Sequence, residues 1–350
     1  MGAGQGLREV TAAMRLPLKI IILTLALAPA LAGAQGFRPV QNGTEQYSSS
    51  SMPLSGNETD DEILRDAMWT RLASSKPPAR PSVGLALSGG GARGFAHTGV
   101  LETLEYAGFP VDYVSGTSMG AVIGSLYASG TTVPEIWKFG RAARELKFSR
   151  DFKSIKLLSL LITNKLITPT YINRFLEARF GALTFESLKI PFSCSAMDLR
   201  TGEKIVFTDG PLDIAVRASS NLPGIFAPVQ YRHRYLVDGG VVDFIPIGAA
   251  RQLGADWVLA SVIDNASSRY PENVLMSLLQ VIDIRGSLLA LSAEKEAGFV
   301  IKSEVGDMTV ADFDRCEEAG EAGLQEASRR IDAAREALLI YSAPRLAEKL

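Results

Sequence analysis

From Ser82 onward the apolar residues fall into short runs separated by longer, helix-periodic stretches. The runs are "VGLALS", "VDYVSG", "FSCSAMDL", "KIVFTD", "YLVDGG", "WVLASVID" and "FVIKSEV". Each is four to eight residues long and bounded by glycine or polar residues, which is the pattern of strands. Between them, "GFAHTGVLETLEYAG" and "MGAVIGSLYASG" read as helices, as do residues 171–180, 211–220, 243–253 and 272–292. A last helix, rich in alanine and glutamate with an apolar stripe, is expected from about Asp312 to Leu339. Strands alternating with helices predict an α/β sheet covered on both faces.

The N-terminal region follows another pattern. Arg15 and Lys19 precede the apolar run "IIILTLALAPALAGA", the order of a secretory leader, with Met14 as an alternative start. The run is short for a membrane span and Pro29 interrupts it. Residues 1–34 are therefore expected to be a signal peptide. Residues 35–80 are polar, poor in apolar groups and closed by prolines, and are expected to be a flexible linker. Residues 81–345 remain as one catalytic-sized domain.

Composition narrows the classes. Lys plus Arg (36) nearly balances Asp plus Glu (38), so no global charge points to nucleic acid. The two cysteines, Cys194 and Cys316, allow at most one disulfide and sit in strand-like or helical surroundings, which suits buried thiols. An exported chain independent of disulfides suggests a bacterial periplasm or envelope, or release from the cell. There is no His-Glu-x-x-His, no cysteine pair and only two histidines, so neither metal nor cofactor is expected.

Chemistry concentrates in two glycine-rich turns. Gly116-Thr117-Ser118-Met119-Gly120 is G-x-S-x-G between a strand and a helix. Such a turn holds its serine in strained, positive-φ backbone and projects Oγ outward, with glycines where side chains would clash. The helix that follows directs its positive end at the same point. Upstream, Gly89, Gly90, Gly91, Ala92, Arg93 and Gly94 join the first strand to a helix. Successive N–H groups there form an anion-binding nest, an oxyanion hole in a hydrolase. The same glycines match G-x-G-x-x-G of dinucleotide sites, but the acidic residue such a site needs at the end of the second strand is replaced by the serine turn.

A serine triad needs a histidine, and neither candidate suits. His97 precedes the serine, and His233 sits among arginines on a turn. Asp238, at the end of "YLVDGG" and followed by Gly239 and Gly240, is the candidate base, although Asp-Gly by itself is an ordinary turn.

Together "SGGGARGFAHTGVL", "GTSMGA", "MDLRTGEKIVFTDG", "AVRASSNLPGIFAPV" and "YLVDGGVVDFIP" resemble the patatin-like phospholipase family, over roughly Ser82 to Ser342. The resemblance implies a three-layer α/β/α sandwich with a mostly parallel central sheet. It implies a histidine-free dyad of Ser118 and Asp238, an oxyanion loop at Gly89–Gly94, and calcium-independent hydrolysis of lipid acyl esters through an acyl-enzyme. The expected partner is a lipid ester at a membrane surface, with no protein partner. Two other readings stand beside it: a catalytically silent lipid-binding adaptor, and a dinucleotide enzyme. Residues 146–167, with Lys147, Arg150, Lys153, Lys156 and Lys165 around a leucine-isoleucine block, read either as an amphipathic packing segment or as a lipid contact.

Overall fold

The computed structural model describes residues 60–143, 166–264 and 274–347. Its strands are β1 (Val83–Leu87), β2 (Tyr113–Thr117), β3 (Phe192–Asp198), β4 (Lys204–Phe207), β5 (Val229–Tyr231), β6 (Arg234–Asp238), β7 (Trp257–Asp264) and β8 (Phe299–Glu304). The helices are α1 (Asp60–Ser74), α2 (Ala96–Tyr106), α3 (Met119–Ala128), α4 (Val133–Ala142), α5 (Thr170–Phe180), α6 (Leu212–Ser219), α7 (Ile247–Gln252), α8 (Val274–Ala293) and α9 (Cys316–Ala347). All seven apolar runs are strands; β5, α1 and α4 are additions. The sheet runs β5-β6-β3-β2-β1-β7-β8, with β4 on the other edge of β3. The pairs among β1, β2, β3, β7 and β8 are parallel, and β4, β5 and β6 pair antiparallel.

Strand periodicity sorts the core into two layers. Leu85, Leu87, Trp257 and Leu259 pack with α2, α3 and α9 residues such as Val100, Leu104, Ile123 and Leu338. The residues between them, Ala86, Val258 and Ala260, face Ile247 and Ala250 of α7 and Ala290 of α8 on the opposite side. Side chains alternate across a pleated sheet, so continuously apolar strands supply both layers. The fold is the three-layer α/β/α sandwich that was expected.

β3 acts as a ruler. Cys194 and Ser195 pair with β2 and β4 at once, and Ala196 and Met197 with β4 and β6 at once. A strand has two edges, so β2 and β6 share one edge of β3 and lie end to end along it. Ser195 faces Thr117, and the next residue, Ala196, faces Asp238. The carboxyl ends of a parallel and an antiparallel strand thus meet, bringing Ser118 and Asp238 to one break in the sheet.

One boundary is corrected. The expected linker ran to residue 80, yet Asp60–Ser74 is helical, with Trp69 and Leu72 in the core. Its acidic start masks three inward apolar positions, Met68, Trp69 and Leu72, and Trp69 packs 5.3 Å from the Phe109 ring. Asn57–Leu350 forms one compact unit. The signal-peptide assignment and the linker up to residue 59 lie outside the described residues, as does the basic segment apart from Leu166 and Ile167.

Candidate active site

Ser118 stands between the end of β2 and the start of α3 with φ 55° and ψ −122°, a backbone region that costs a non-glycine residue energy. The flanking residues explain why the turn closes. A Cβ on Gly116 would run into the Gly120 carbonyl, and one on Gly120 into the Leu87 carbonyl, so both must be glycine for α3 to lie this close to β1. The strain is braced from outside. The Ser118 N–H donates to Ser219 Oγ (3.0 Å), which in turn donates to the Ser195 carbonyl (2.7 Å). Ser219 is wholly buried at the end of α6.

Asp238 closes β6 and is 2% exposed. Its N–H donates to the Asn221 carbonyl (2.9 Å), and its Oδ1 accepts the Gly240 N–H (2.8 Å). Oδ2 is buried without a partner at hydrogen-bonding distance among the described residues. Burial pushes the carboxyl pKa up to about 6, against the opposing pull of the Ser118 hydroxyl and the Gly240 N–H. The hydroxyl is therefore close enough to be felt by the carboxylate, while one carboxylate oxygen still has capacity for its proton. The strand register supplies the proximity and burial supplies the basicity.

The glycine loop faces the same point. Gly89, Gly90, Gly91, Ser118, Asp238 and Gly240 line one cleft. The expectation that Gly89 through Gly94 all form the nest is narrowed. The Gly89 N–H donates to the Phe244 carbonyl and the Ala92 N–H to that of Val310, while Arg93 and Gly94 do not line the cleft. Gly90 and Gly91 line it with N–H groups that have no acceptor among the described residues. Gly91 has φ 57°, and a Cβ there would strike the Val310 backbone. Arg93 is 1% exposed and holds the loop from beneath, with Nε on the Gly90 carbonyl (3.3 Å) and Nη2 on Asp283 Oδ1 (2.8 Å). Burial raises the Asp283 carboxyl pKa, and Arg93 opposes that.

Neither histidine reaches this site. His97 is fully buried; its Nε2 must donate to the Ser88 carbonyl (2.9 Å), so its Nδ1 accepts from Ser261 (2.8 Å). Burial lowers its pKa to about 4, leaving a neutral brace under the glycine loop. His233 (φ 63°) and Arg232 (φ 46°) form the exposed turn between β5 and β6. Gly239 is buried against the Ser195 backbone and turns the chain after the carboxylate.

The rest of the cleft is apolar. Met119, Val122, Ile172, Phe175, Leu176 and Leu222 line it, along with Phe139, Phe244, Leu279, Ile282, Val310 and Phe313. A serine, a buried carboxylate, two unengaged N–H groups and a long apolar wall suit acyl transfer from an apolar acyl group. Ser219, Asn221, Asp283 and the wall residues were not legible as site residues. Only "ASSN", repeated small polar residues at a helix end, hinted at a structural knot.

Residues 85–251 match the family model described as patatin-like phospholipase. The chain is 33% identical over 189 residues to an uncharacterized NTE family protein of Mycobacterium tuberculosis, covering 54% of this chain and 51% of that protein. It is 36% identical over 200 residues to a lysophospholipase of Emericella nidulans, covering 55% of this chain and 13% of the fungal protein. The aligned region thus spans about half the length of the mycobacterial relative and a small part of the fungal one. The crystal structure of VipD from Legionella pneumophila aligns with a TM-score of 0.43 at 14% identity, over 72% of this chain and 67% of that one.

Proposed function

Through residues 85–251 the chain belongs to the patatin-like phospholipase family, and from that premise we propose that it is a serine acyl hydrolase acting on ester-linked acyl chains of lipids. Ser118 is the nucleophile and Asp238 its base. The Asp238 carboxylate takes the hydroxyl proton as Oγ attacks the ester carbonyl, and the oxyanion is held by the N–H groups of Gly90 and Gly91. The positive end of α3 adds to that field. Collapse expels the alcohol, which receives the proton from Asp238, and leaves an acyl-enzyme. Water, deprotonated by the same carboxylate, then releases the fatty acid and restores Ser118.

The observation that supports this reading best is the meeting of a positive-φ serine with a buried, partly unpartnered carboxylate at the mouth of an apolar cleft. A silent adaptor has no need of that strain. Export through residues 1–34 belongs to the same proposal and rests on the sequence alone.

A fluorophosphonate tests the assignment directly. One adduct is expected, on Ser118, with none on Ser118→Ala, and fatty acid is expected to be released from mixed lipids by the labelling-competent protein only. An adduct on another serine, or none on folded protein, would remove Ser118 from the mechanism.

A further inference from the structure

Four of the large apolar side chains that the described surface exposes stand on one helix. Val281 (60% exposed), Ile284 (54%), Leu288 (58%) and Leu291 (59%) follow one another along α8 at spacings of three, four and three. At 3.6 residues per turn these form a single face about 15 Å long. The other side of α8 is engaged: Leu279 is buried, and Leu279, Ile282 and Asp283 line the Ser118 cleft. One helix thus divides the candidate acyl site from an apolar surface that no described residue covers.

The charges of α8 are sorted the same way. Its only carboxylate, Asp283, turns inward and pairs with Arg93 at 2.8 Å. Its only cation, Arg285, is exposed beside the stripe. The outer face of α8 therefore offers apolar groups and one positive charge, while the helix's carboxylate, Asp283, is turned inward and neutralised by Arg93, away from any phosphate. That complements a phospholipid surface, which accepts apolar side chains below its headgroups and a cation among them.

We propose that the Val281–Leu291 face of α8 docks the protein on a phospholipid surface, so that the cleft behind the helix opens where acyl chains are available. The docking stands on this face alone; its role in delivering an acyl chain rests on the hydrolase reading above. Because apolar groups dominate, docking survives salt far better than attraction by a purely basic segment.

The test uses the full chain and sucrose-loaded phosphatidylcholine vesicles containing about one quarter phosphatidylglycerol. The double substitution Ile284→Ser/Leu288→Ser is expected to weaken co-sedimentation by at least ~10-fold, since two large apolar groups no longer leave water. Hydrolysis of a long-chain ester in the vesicles should fall with it, and hydrolysis of a short soluble ester should not. Independently, Leu288→Cys can be labelled selectively, because Cys194 and Cys316 are buried. A polarity-sensitive probe there should shift to the blue when vesicles are added. Unchanged co-sedimentation with no probe shift overturns the proposal. So does a double variant that changes from dimer to monomer while keeping its vesicle binding, which assigns the face to a second copy of the chain. Equal loss on the soluble ester makes the face structural and overturns it as well. A wild-type protein that docks through this face yet cleaves no ester leaves the docking intact and removes the hydrolase reading instead.

Discussion

The polar end of the cleft and its apolar walls are built from different materials. At the polar end the shape is backbone: Gly116 and Gly120 stand where no Cβ fits, Gly91 has positive φ, and the Ser118 and Asp238 N–H groups each have a fixed acceptor. Along the walls, Val122, Ile172, Phe175 and Leu176 come from α3 and α5 and contribute only volume and apolarity. Backbone geometry tolerates almost no change, whereas a wall of hydrophobic side chains tolerates exchange with modest adjustment. The polar end should therefore govern whether a reaction occurs, and the walls which acyl group reacts.

The largest effect that tests this contrast comes from removing the charge at the base. Asp238→Asn is expected to lower kcat by ~10²–10⁴-fold, the range of a general base. It should also stabilise the fold. The native carboxyl is pushed up to about 6 by burial from an ordinary value of 3.8. Below the ordinary value both states hold the proton and nothing is lost. As pH rises towards 6 the unfolded chain ionises first, so wild-type stability falls, and above 6 the cost is constant. The asparagine variant escapes it and should be more stable at pH 8 by ~2–3 kcal/mol, measured by denaturant unfolding. A variant that loses activity and stability together would mean the carboxylate is a structural anchor.

The same pKa gives the pH profile. For wild-type protein on a soluble ester, kcat/KM should climb about tenfold per pH unit below pH ~6 and level off above it. A limb near the ordinary carboxylate value of 3.8 would mean that the buried Asp238 is not the base that titrates.

The two ends also differ in what could be read from the chain. Ser118 was legible because its turn is local: five consecutive residues carry the geometry and the reason for it. Asp238 was visible only as Asp-Gly-Gly, since its meeting with Ser118 depends on the register of β3, which no local pattern encodes. Arg93 was visible only as a member of the glycine loop, because the partner that makes it a brace, Asp283, lies 190 residues away. β5 escaped because it is three residues long and its turn uses Arg232-His233 in place of glycine or asparagine. α1 escaped because polar composition hid three inward positions. The layered fold was clear because apolar periodicity repeats over many residues, while the walls use ordinary core residues that nothing marks as site residues.

Ser219 sharpens the contrast at intermediate scale, since it touches only the backbone of the nucleophile. Ser219→Ala leaves the Ser118 N–H and the Ser195 carbonyl without the partners given by that hydroxyl. Two buried polar groups without partners should cost ~2–4 kcal/mol of stability. A slackened turn should cost about tenfold in kcat with KM unchanged, because the acyl wall is untouched. A rise in KM alone would place Ser219 among the substrate contacts.

The smallest effect on rate belongs to the walls, and there its direction matters more than its size. Ile172 lies half-buried on α5 and lines the cleft beside Phe175, whose ring stacks 4.4 Å from that of Phe139. Ile172→Ala removes apolar volume without touching a hydrogen bond of the polar end. Ile172→Trp adds volume at the same place. If the wall only shapes the acyl group, both variants should hydrolyse a short soluble ester within ~3-fold of wild type. Their preferences should then move in opposite directions, alanine towards longer acyl chains and tryptophan towards shorter ones. A shift of about tenfold in the ratio of kcat/KM values is the scale for one or two methylenes gaining or losing a wall. Measuring both variants across a series of acyl lengths separates the cases. If both lose activity evenly at every length, α5 helps hold the polar end in shape, and the division between backbone and wall fails at this position. If neither shifts, the acyl chain follows another side of the cleft, along Leu222 or Phe313, and the division survives with its wall reassigned.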